Sequence, residues 1–526
     1  MVLSALLPGC AGLPANNGRT PSQALADPSG TTLSRHAQSG APADTAARHR
    51  AGFRLLGNAE DAYASRLALI DAAEKTLDLQ YYSIHYDSST DELLHRLRQA
   101  ALRGVRVRIL IDDFNAAGDN AEVLRMDEVP NIEVRLFNPV MGPRSWQAGR
   151  LIGAMFDFQR IQQRMHNKAF IADNALAVTG GRNLGDDYFG HGSTSNFLDL
   201  DILVAGDIVR QISGTFDAYW NDPVAYPAAA LLTPRERARI DEQRADRTAD
   251  SAPPPQSEQS APAAPGGLPP KVPPPSVPAA AGVASEIEQG TLQLVWAPAT
   301  YVADQPTKIS GDEPDDEEET VVDGLVNLIQ RAQADLLIVS PYFVPGADMM
   351  KAFEGIRQRG VRVRVLTNSL ASNDAPLAHV GYARYRKALL AIGVELYELR
   401  ASGDTDRRLL GSTPQGRSSL HAKTLVMDDR LLVVGTMNLD MRSALQNTEA
   451  GIVIRNRAMS AELTAGIEKT LLRSYHVELQ DGVLVWHPPA DDTARAGQLL
   501  RSEPDASTGL KLLVNIAGPF APDEML

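Results

Sequence analysis

The sequence predicts an α/β protein of two duplicated halves, each a mixed β-sheet flanked by helices, packed about a pseudo-two-fold axis with a shared active site. Three observations carry that prediction. Arg103-Gly104-Val105-Arg106-Val107-Arg108-Ile109-Leu110 recurs as Arg359-Gly360-Val361-Arg362-Val363-Arg364-Val365-Leu366. A His-x-Lys unit follows each copy at a matched distance, 62 residues from Gly104 to His166 and 61 from Gly360 to His421. Between the copies lies a proline-rich stretch, Ser251 to Ala281, with Pro253-Pro254-Pro255, Pro269-Pro270 and Pro273-Pro274-Pro275. Self-similarity on this scale marks the duplication of one structural unit.

The bulk numbers agree with two units. A chain of 526 residues exceeds one ordinary core, given about 150 residues per domain. Apolar residues make up 44% and charged residues 22%, the balance of a soluble globular protein. The net charge of −14 and pI near 5.3 argue against sequence-independent nucleic-acid binding, which relies on Lys and Arg neutralising phosphates. No apolar run reaches the ~18 residues that a transmembrane helix needs. The single cysteine, Cys10, excludes disulfides within the chain.

Taken in order, the chain opens on Leu6-Leu7-Pro8-Gly9-Cys10-Ala11-Gly12, which resembles a bacterial lipobox, where the cysteine is acylated. A basic n-region is missing and Pro8 is unusual there, so an incidental cysteine in a disordered tail is the other reading. Pro14 to about Arg50 is rich in Ala, Ser, Gly and Pro without periodicity, so residues 1–50 read as a signal and disordered leader. Residues 51–250 form the N-terminal half. There Leu77 to Tyr82, Arg106 to Leu110 and Ile132 to Leu136 read as strands, with a helical pattern over Glu92 to Leu102. Residues 251–285 form a Pro/Ala-rich linker, because proline neither donates to a ladder nor fits inside a helix. Residues 286–490 repeat the plan: Leu336 to Tyr342, a helical Met349 to Gln358, Val361 to Leu366 and Val394 to Tyr397. Residues 491–526 read as a C-terminal tail.

The chemistry lies in the repeated unit H-x-K-x4-D-x6-G-x-x-N. The first copy is His166, Lys168, Asp173, Gly180 and Asn183; the second is His421, Lys423, Asp428, Gly435 and Asn438. Each reads as a hairpin whose histidine and lysine, two apart, share a face. A phosphodiester is anionic and resists attack, so cleavage needs positive charge, a nucleophile and an acid for the leaving alkoxide. Two lysines supply the charge, and two asparagine amides add hydrogen bonds to the same oxygens. Two histidines divide nucleophilic and acid–base work. A carboxylate behind each imidazole would fix its tautomer; Asp199 and Glu449 stand at equivalent places, with Asp201 a close rival to Asp199. Asp173 and Asp428 fall in the turns, where local hydrogen bonding is the expected role. No metal-ligand spacing is present, and no cofactor is called for.

These residues resemble the phospholipase D superfamily with its duplicated H-K-D motif, over about Phe53 to His487. The resemblance is closer to bacterial cardiolipin synthases of the C type, through Gln80-Tyr81-Tyr82, Arg164 to Lys168, Gly180 to Asp186, Thr367 to Asp374 and His379 to Arg384. It implies the phospholipase D fold and phosphatidyl transfer by a ping-pong route through a phosphatidyl-histidine, His166 attacking and His421 serving as acid and base. It also implies a membrane surface as partner, with phosphatidylglycerol, phosphatidylethanolamine or cardiolipin as substrates. With the lipobox, the place implied is a bacterial membrane, on its periplasmic side. The family commonly has Ser after the Gly of G-x-x-N, whereas this chain has Gly181 and Thr436, so a hydroxyl contact to phosphate is lost from the first half. A hydrolytic phospholipase D, a nuclease and an inactive lipid-binding protein are the alternatives; protein partners are not specified.

Overall fold

The computed structural model describes residues 13–42, 50–142, 158–239, 282–311, 319–401 and 417–517, with Glu242 and without Asn17, Gly40 and Ala117. Cys10 and residues 251–281 of the expected linker lie outside the described residues. The strands of the first half are β1 (Arg50–Leu56), β2 (Thr76–Tyr81), β3 (Arg106–Asp112), β4 (Ile132–Phe137), β5 (Arg164–Met165), β6 (Ala169–Ala172), β7 (Leu176–Gly180), β8 (Ser195–Leu198), β9 (Asp201–Ala205) and β10 (Ala225–Pro227). The second half adds β11 (Val295–Ala303), β12 (Asp335–Val339), β13 (Arg362–Asn368), β14 (Glu395–Leu399), β15 (Arg417–Leu420), β16 (Thr424–Met427), β17 (Leu431–Gly435), β18 (Asn447–Thr448), β19 (Ala450–Arg455), β20 (Tyr475–Gln480) and β21 (Val483–His487).

The pairings repeat. In the first half β2, β3 and β4 run parallel, and β6, β7, β9 and β1 continue the sheet antiparallel. In the second, β12, β13 and β14 run parallel and β16, β17, β19 and β11 continue it. β11 also joins the halves, pairing with β1 through Val295 to Pro298 and with β19 through Ala299 to Ala303. Gly104 (φ +97°) and Gly360 (φ +83°) turn each chain into its central strand through a backbone region that other residues rarely adopt.

Burial follows this plan. The parallel strands are buried on both faces because both are covered, and one face of the first sheet carries the buried charges Asp78, Arg108 and Arg135 among its apolar residues. The helices Ala59–Ala72 and Ser88–Leu102 close the outer face of the first sheet, and Val321–Ile329, Gly346–Gln358 and Pro376–Ala391 that of the second. Between the sheets lies a shared core of Leu110, Ile171 and Ile202 against Leu337, Leu432 and Ile452. The helices Asp207–Asn221 and Arg457–Leu471 add Phe216, Trp220, Leu463 and Ile467 to it.

Two expectations need correction. The described part of the leader does not hang free. Arg135 donates to the Thr20 carbonyl (2.6 Å), Arg108 to that of Ser22 (3.0 Å) and Asn174 to that of Leu25 (2.8 Å). Leu33 and Ala37, on the helix Thr32–Ser39, are buried in the first core. The expected tail is likewise ordered over residues 491–517: Glu503 pairs with Arg386 (2.8 Å), and Val514 of the helix Thr508–Ala517 packs on Leu370 and Val380. Backbone carbonyls hold the first segment, so its side-chain composition gave no sign of order.

Candidate active site

Two short parallel pairings across the halves assemble the site. β5, which leads into His166, pairs with β18, and the His166 amide donates to the Thr448 carbonyl (3.0 Å). β15, which leads into His421, pairs with β8, and the His421 amide donates to the Leu198 carbonyl (2.8 Å). The residue following each partner strand is a carboxylate. His166 Nδ1 lies 3.1 and 2.9 Å from the two Glu449 carboxylate oxygens, and His421 Nδ1 lies 2.6 Å from Asp199 Oδ2. Each half therefore supplies the carboxylate for the other half's imidazole. With Nδ1 engaged, Nε2 is the ring nitrogen left for chemistry.

His166, Lys168, His421 and Lys423 are all buried. Burial pushes the His166 imidazole down to about 4, against the pull of Glu449 and helped by the charges of Lys168 and Lys423. Burial also lowers His421, opposed by Asp199. The Lys168 ammonium is pushed down to about 7 by burial and by Lys423, and burial takes Lys423 down to about 8. Glu449, held by Thr436 of the second motif, bonds His166, and Asp199, lying against Gly181 of the first, bonds His421, so the two motifs converge on one place. The ammonium groups also donate to their own motif's histidine carbonyl, at 2.9 Å from Lys168 and 2.6 Å from Lys423. Two close cations with low local solvation are a ready seat for an anion.

The carboxylates are held differently. Glu449 accepts from the hydroxyls of Thr436 (2.5 Å) and Ser443 (2.9 Å), while Asp304 accepts from the Glu449 amide (2.9 Å). Asp199 accepts from the Leu200 amide (2.7 Å). A Cβ at Gly181 would stand 2.0 Å from Asp199 Oδ1, so glycine there makes room for the carboxylate. The Thr436 hydroxyl thus serves Glu449, not the phosphate contact that the family comparison suggested. Asp201 is occupied by Arg66 at 2.8 Å, which separates it from Asp199.

The asparagines are adjacent but partly engaged. Asn183 Oδ1 accepts from the Ser83 amide (3.3 Å), and its Nδ2 donates to the Tyr188 hydroxyl (2.9 Å), instead of standing free for a phosphate. Asn438 Oδ1 is buried without a protein partner. Asp173 and Asp428 bond mainly beyond their own turns, although Arg430, two residues on, reaches the Asp428 carboxylate at 3.4 Å. Asp173 accepts from the amides of Glu74 (2.9 Å), Lys75 (2.7 Å) and Thr76 (2.9 Å), and Asp428 from those of Gln333, Ala334 and Asp335. Each aspartate anchors the loop entering its half's first parallel strand, away from the histidines.

Sequence reasoning missed several neighbours. Tyr82 lies edge-on to His166 and Tyr188 to His421, each at 5.2 Å between ring centres, and Phe197 is 5.0 Å from His421. Asp112 accepts from the Met165 amide (2.9 Å) and pairs with Arg164. Asn368 holds the backbone of Leu420, next to His421, through both its amide groups (2.8 and 2.9 Å). His379 faces Arg386 and Glu503, not the histidine pair. Among the described residues no group of three or more His, Cys, Asp or Glu is arranged to hold a metal ion.

The family model described as "Cardiolipin synthase, PLD-like domain" matches residues 67–220 and 325–471, once in each half. The chain belongs to this phospholipase D-like family. It is 34% identical over 487 residues to cardiolipin synthase C of Escherichia coli (strain K12), covering 89% of this chain and 94% of that protein. It is 30% identical over 461 residues to an uncharacterized protein of Helicobacter pylori (strain ATCC 700392 / 26695), covering 87% and 86%. Its fold matches the crystal structure of phosphatidylserine synthase from Haemophilus influenzae Rd KW20 with a TM-score of 0.55 at 14% identity, over 90% of this chain and 95% of that one. Membership of this family makes the chain an enzyme of phosphodiester transfer.

Proposed function

We propose that the protein is a phosphatidyltransferase that makes cardiolipin from two phospholipids, through a phosphatidyl group carried on His166. The observation that carries the mechanism is the crosswise pairing of two imidazoles with two carboxylates beside two buried lysines. His166, held neutral by burial, attacks phosphorus through Nε2, and Glu449 stabilises the cation that develops on the ring. His421, hydrogen-bonded to Asp199, delivers its proton to the leaving oxygen. It then takes the proton of the acceptor alcohol, whose oxygen displaces His166 from phosphorus. Lys168 and Lys423 hold the phosphoryl oxygens, and the anion raises the affinity of both for their protons. The choice of lipid and of transfer over hydrolysis rests on the similarity to cardiolipin synthase C along nearly the whole of both chains.

The test offers phosphatidylglycerol vesicles with and without phosphatidylethanolamine and quantifies cardiolipin against phosphatidic acid. Cardiolipin as the main product is expected. Phosphatidic acid in both cases makes the enzyme a hydrolase, and cleavage of single-stranded DNA without lipid turnover removes the lipid reading.

A further inference from the structure

We infer that Asp112 and Asn368 are equivalent positioning residues, each holding the backbone just before one histidine and so governing that histidine's chemical step. The assignment of steps rests on the proposed function, with His166 as nucleophile and His421 as acid and base. The two residues are counterparts in the repeat, each two places after the leucine that closes the matched runs, Leu110 and Leu366. They end β3 and β13, and both are buried. Asp112 Oδ2 accepts from the Met165 amide (2.9 Å), and Asn368 Oδ1 accepts from the Leu420 amide (2.8 Å). Met165 and Leu420 each immediately precede a histidine. The next amide, that of the histidine itself, donates to Thr448 or Leu198 of the other half. Successive amides of an extended chain point to opposite edges. Each histidine is therefore pinned between its own half's central strand and a short strand of the other half.

The two clamps differ in their chemistry. Asp112 has no donor, and its other oxygen, Oδ1, accepts from Arg164 (3.1 Å) and from the Phe114 amide (2.9 Å). Asn368 donates through Nδ2 to the Leu420 carbonyl (2.9 Å), so one side chain holds both polar groups of that residue. The Ser372 hydroxyl, 3.1 Å from Asn368 Oδ1, fixes the orientation of the amide. Where Arg164 stands two residues before His166, Ser419 stands two before His421. The first clamp is a buried ion pair and the second is neutral, so neither residue alone serves in the other's place. A carboxylate at position 368 would face the Leu420 carbonyl without a guanidinium beside it, and an amide at position 112 would strip buried Arg164 of its counter-charge. Burial first and the Asp112 charge next raise the Tyr82 phenol, which lies edge-on to His166, so this carboxylate is felt beside the nucleophile. In-line attack tolerates little error, and a displacement of about 1 Å costs about 10²-fold.

The test uses the full chain and bis-p-nitrophenyl phosphate in solution. With this probe kcat/KM reports the steps up to nitrophenol release, whereas kcat also contains the displacement of His166 from phosphorus by water. Asp112→Ala with Arg164→Ser removes the first clamp without leaving a lone buried charge, and should lower kcat/KM about tenfold or more. Asp112→Asn with Arg164→Ser transplants the second half's clamp, and should restore kcat/KM to within about threefold of the parent. Asn368→Ala should lower kcat about tenfold while kcat/KM stays within about twofold. Equal kcat/KM in the Ala and Asn pairs, or a fall of kcat/KM as large as that of kcat in Asn368→Ala, overturns the clamps. If the Ala pair does not fold, Asn368→Asp decides: it should lower kcat, and adding Ser419→Arg should recover it. Nitrophenol release by the parent without any lipid turnover overturns the lipid reading and leaves the clamp test standing. If His421→Ala loses kcat/KM and His166→Ala does not, the histidine roles are exchanged, and the effects of the two clamps must exchange with them.

Discussion

Lys168 and Lys423 govern the pH response because burial has already weakened their hold on their protons. A lowered lysine is a cation below its own value and neutral above it, so anion binding fades as pH rises through about 7 to 8. His166 is lowered too, but must be neutral to attack, so it limits activity only below about 4. On a p-nitrophenyl phosphodiester, whose leaving group needs no proton from His421, we expect kcat/KM to be bell-shaped between these limits, and Lys168→Arg to move the alkaline limb upward, since a guanidinium stays charged. A profile flat to about pH 9 would remove the lysines as the titrating groups. Asp173 behaves differently, its buried carboxylate serving three backbone amides. Asp173→Asn should cost about 2–4 kcal/mol of stability, as charge-assisted hydrogen bonds are lost, with kcat near that of the parent. Denaturant unfolding alongside kinetics checks both. The histidines and lysines were legible from the repetition of their spacing, although they stand in the connections from β5 to β6 and from β15 to β16 and not within a strand. The partners of Asp173 were not, since Thr76 lies 97 residues away and donates only its backbone.

The elements divide by what holds them. Strands and helices with apolar periodicity, such as Arg106 to Leu110 and Met349 to Gln358, stand where their pattern predicted them. The hairpin turns were legible too, because Asp173-Asn174 and Asp428-Asp429 take the positive φ pair that a tight two-residue turn demands. The segment from Asn16 to Leu25 was not, because its carbonyls are gripped by arginines that stack on other residues: Arg108 over Phe216 and Arg135 over Trp220. Removing residues 1–30 should therefore lower the thermal midpoint by several degrees, for a loss of about 2–4 kcal/mol, as two buried guanidiniums each lose a carbonyl. A melting curve that matches the full chain would mean the segment is merely laid on the surface.

At the scale of the whole molecule, duplication turns two incomplete sites into one. Neither half holds both an imidazole and its carboxylate: Glu449 serves His166 and Asp199 serves His421. One shared site was legible in the sequence, from two half-inventories of His, Lys and Asn. The exchange of carboxylates was not, because it depends on β18 and β8 passing beside the other half's histidine. This arrangement predicts that His166→Ala and His421→Ala each abolish nearly all lipid turnover, by about 10³-fold or more. It also predicts how the two losses differ. A p-nitrophenyl phosphodiester departs without needing a proton, so the acid becomes dispensable in the first step while the nucleophile does not. His421→Ala should therefore still release one equivalent of nitrophenol in a burst and then stall with phosphorus on His166. His166→Ala should give no burst. Glu449→Gln should weaken the burst as His166→Ala does, although it changes the opposite half, whereas Asp199→Asn should spare the burst and slow the turnover that follows. A burst from His166→Ala and none from His421→Ala would exchange the two roles, and equal bursts from both would mean that each half acts alone.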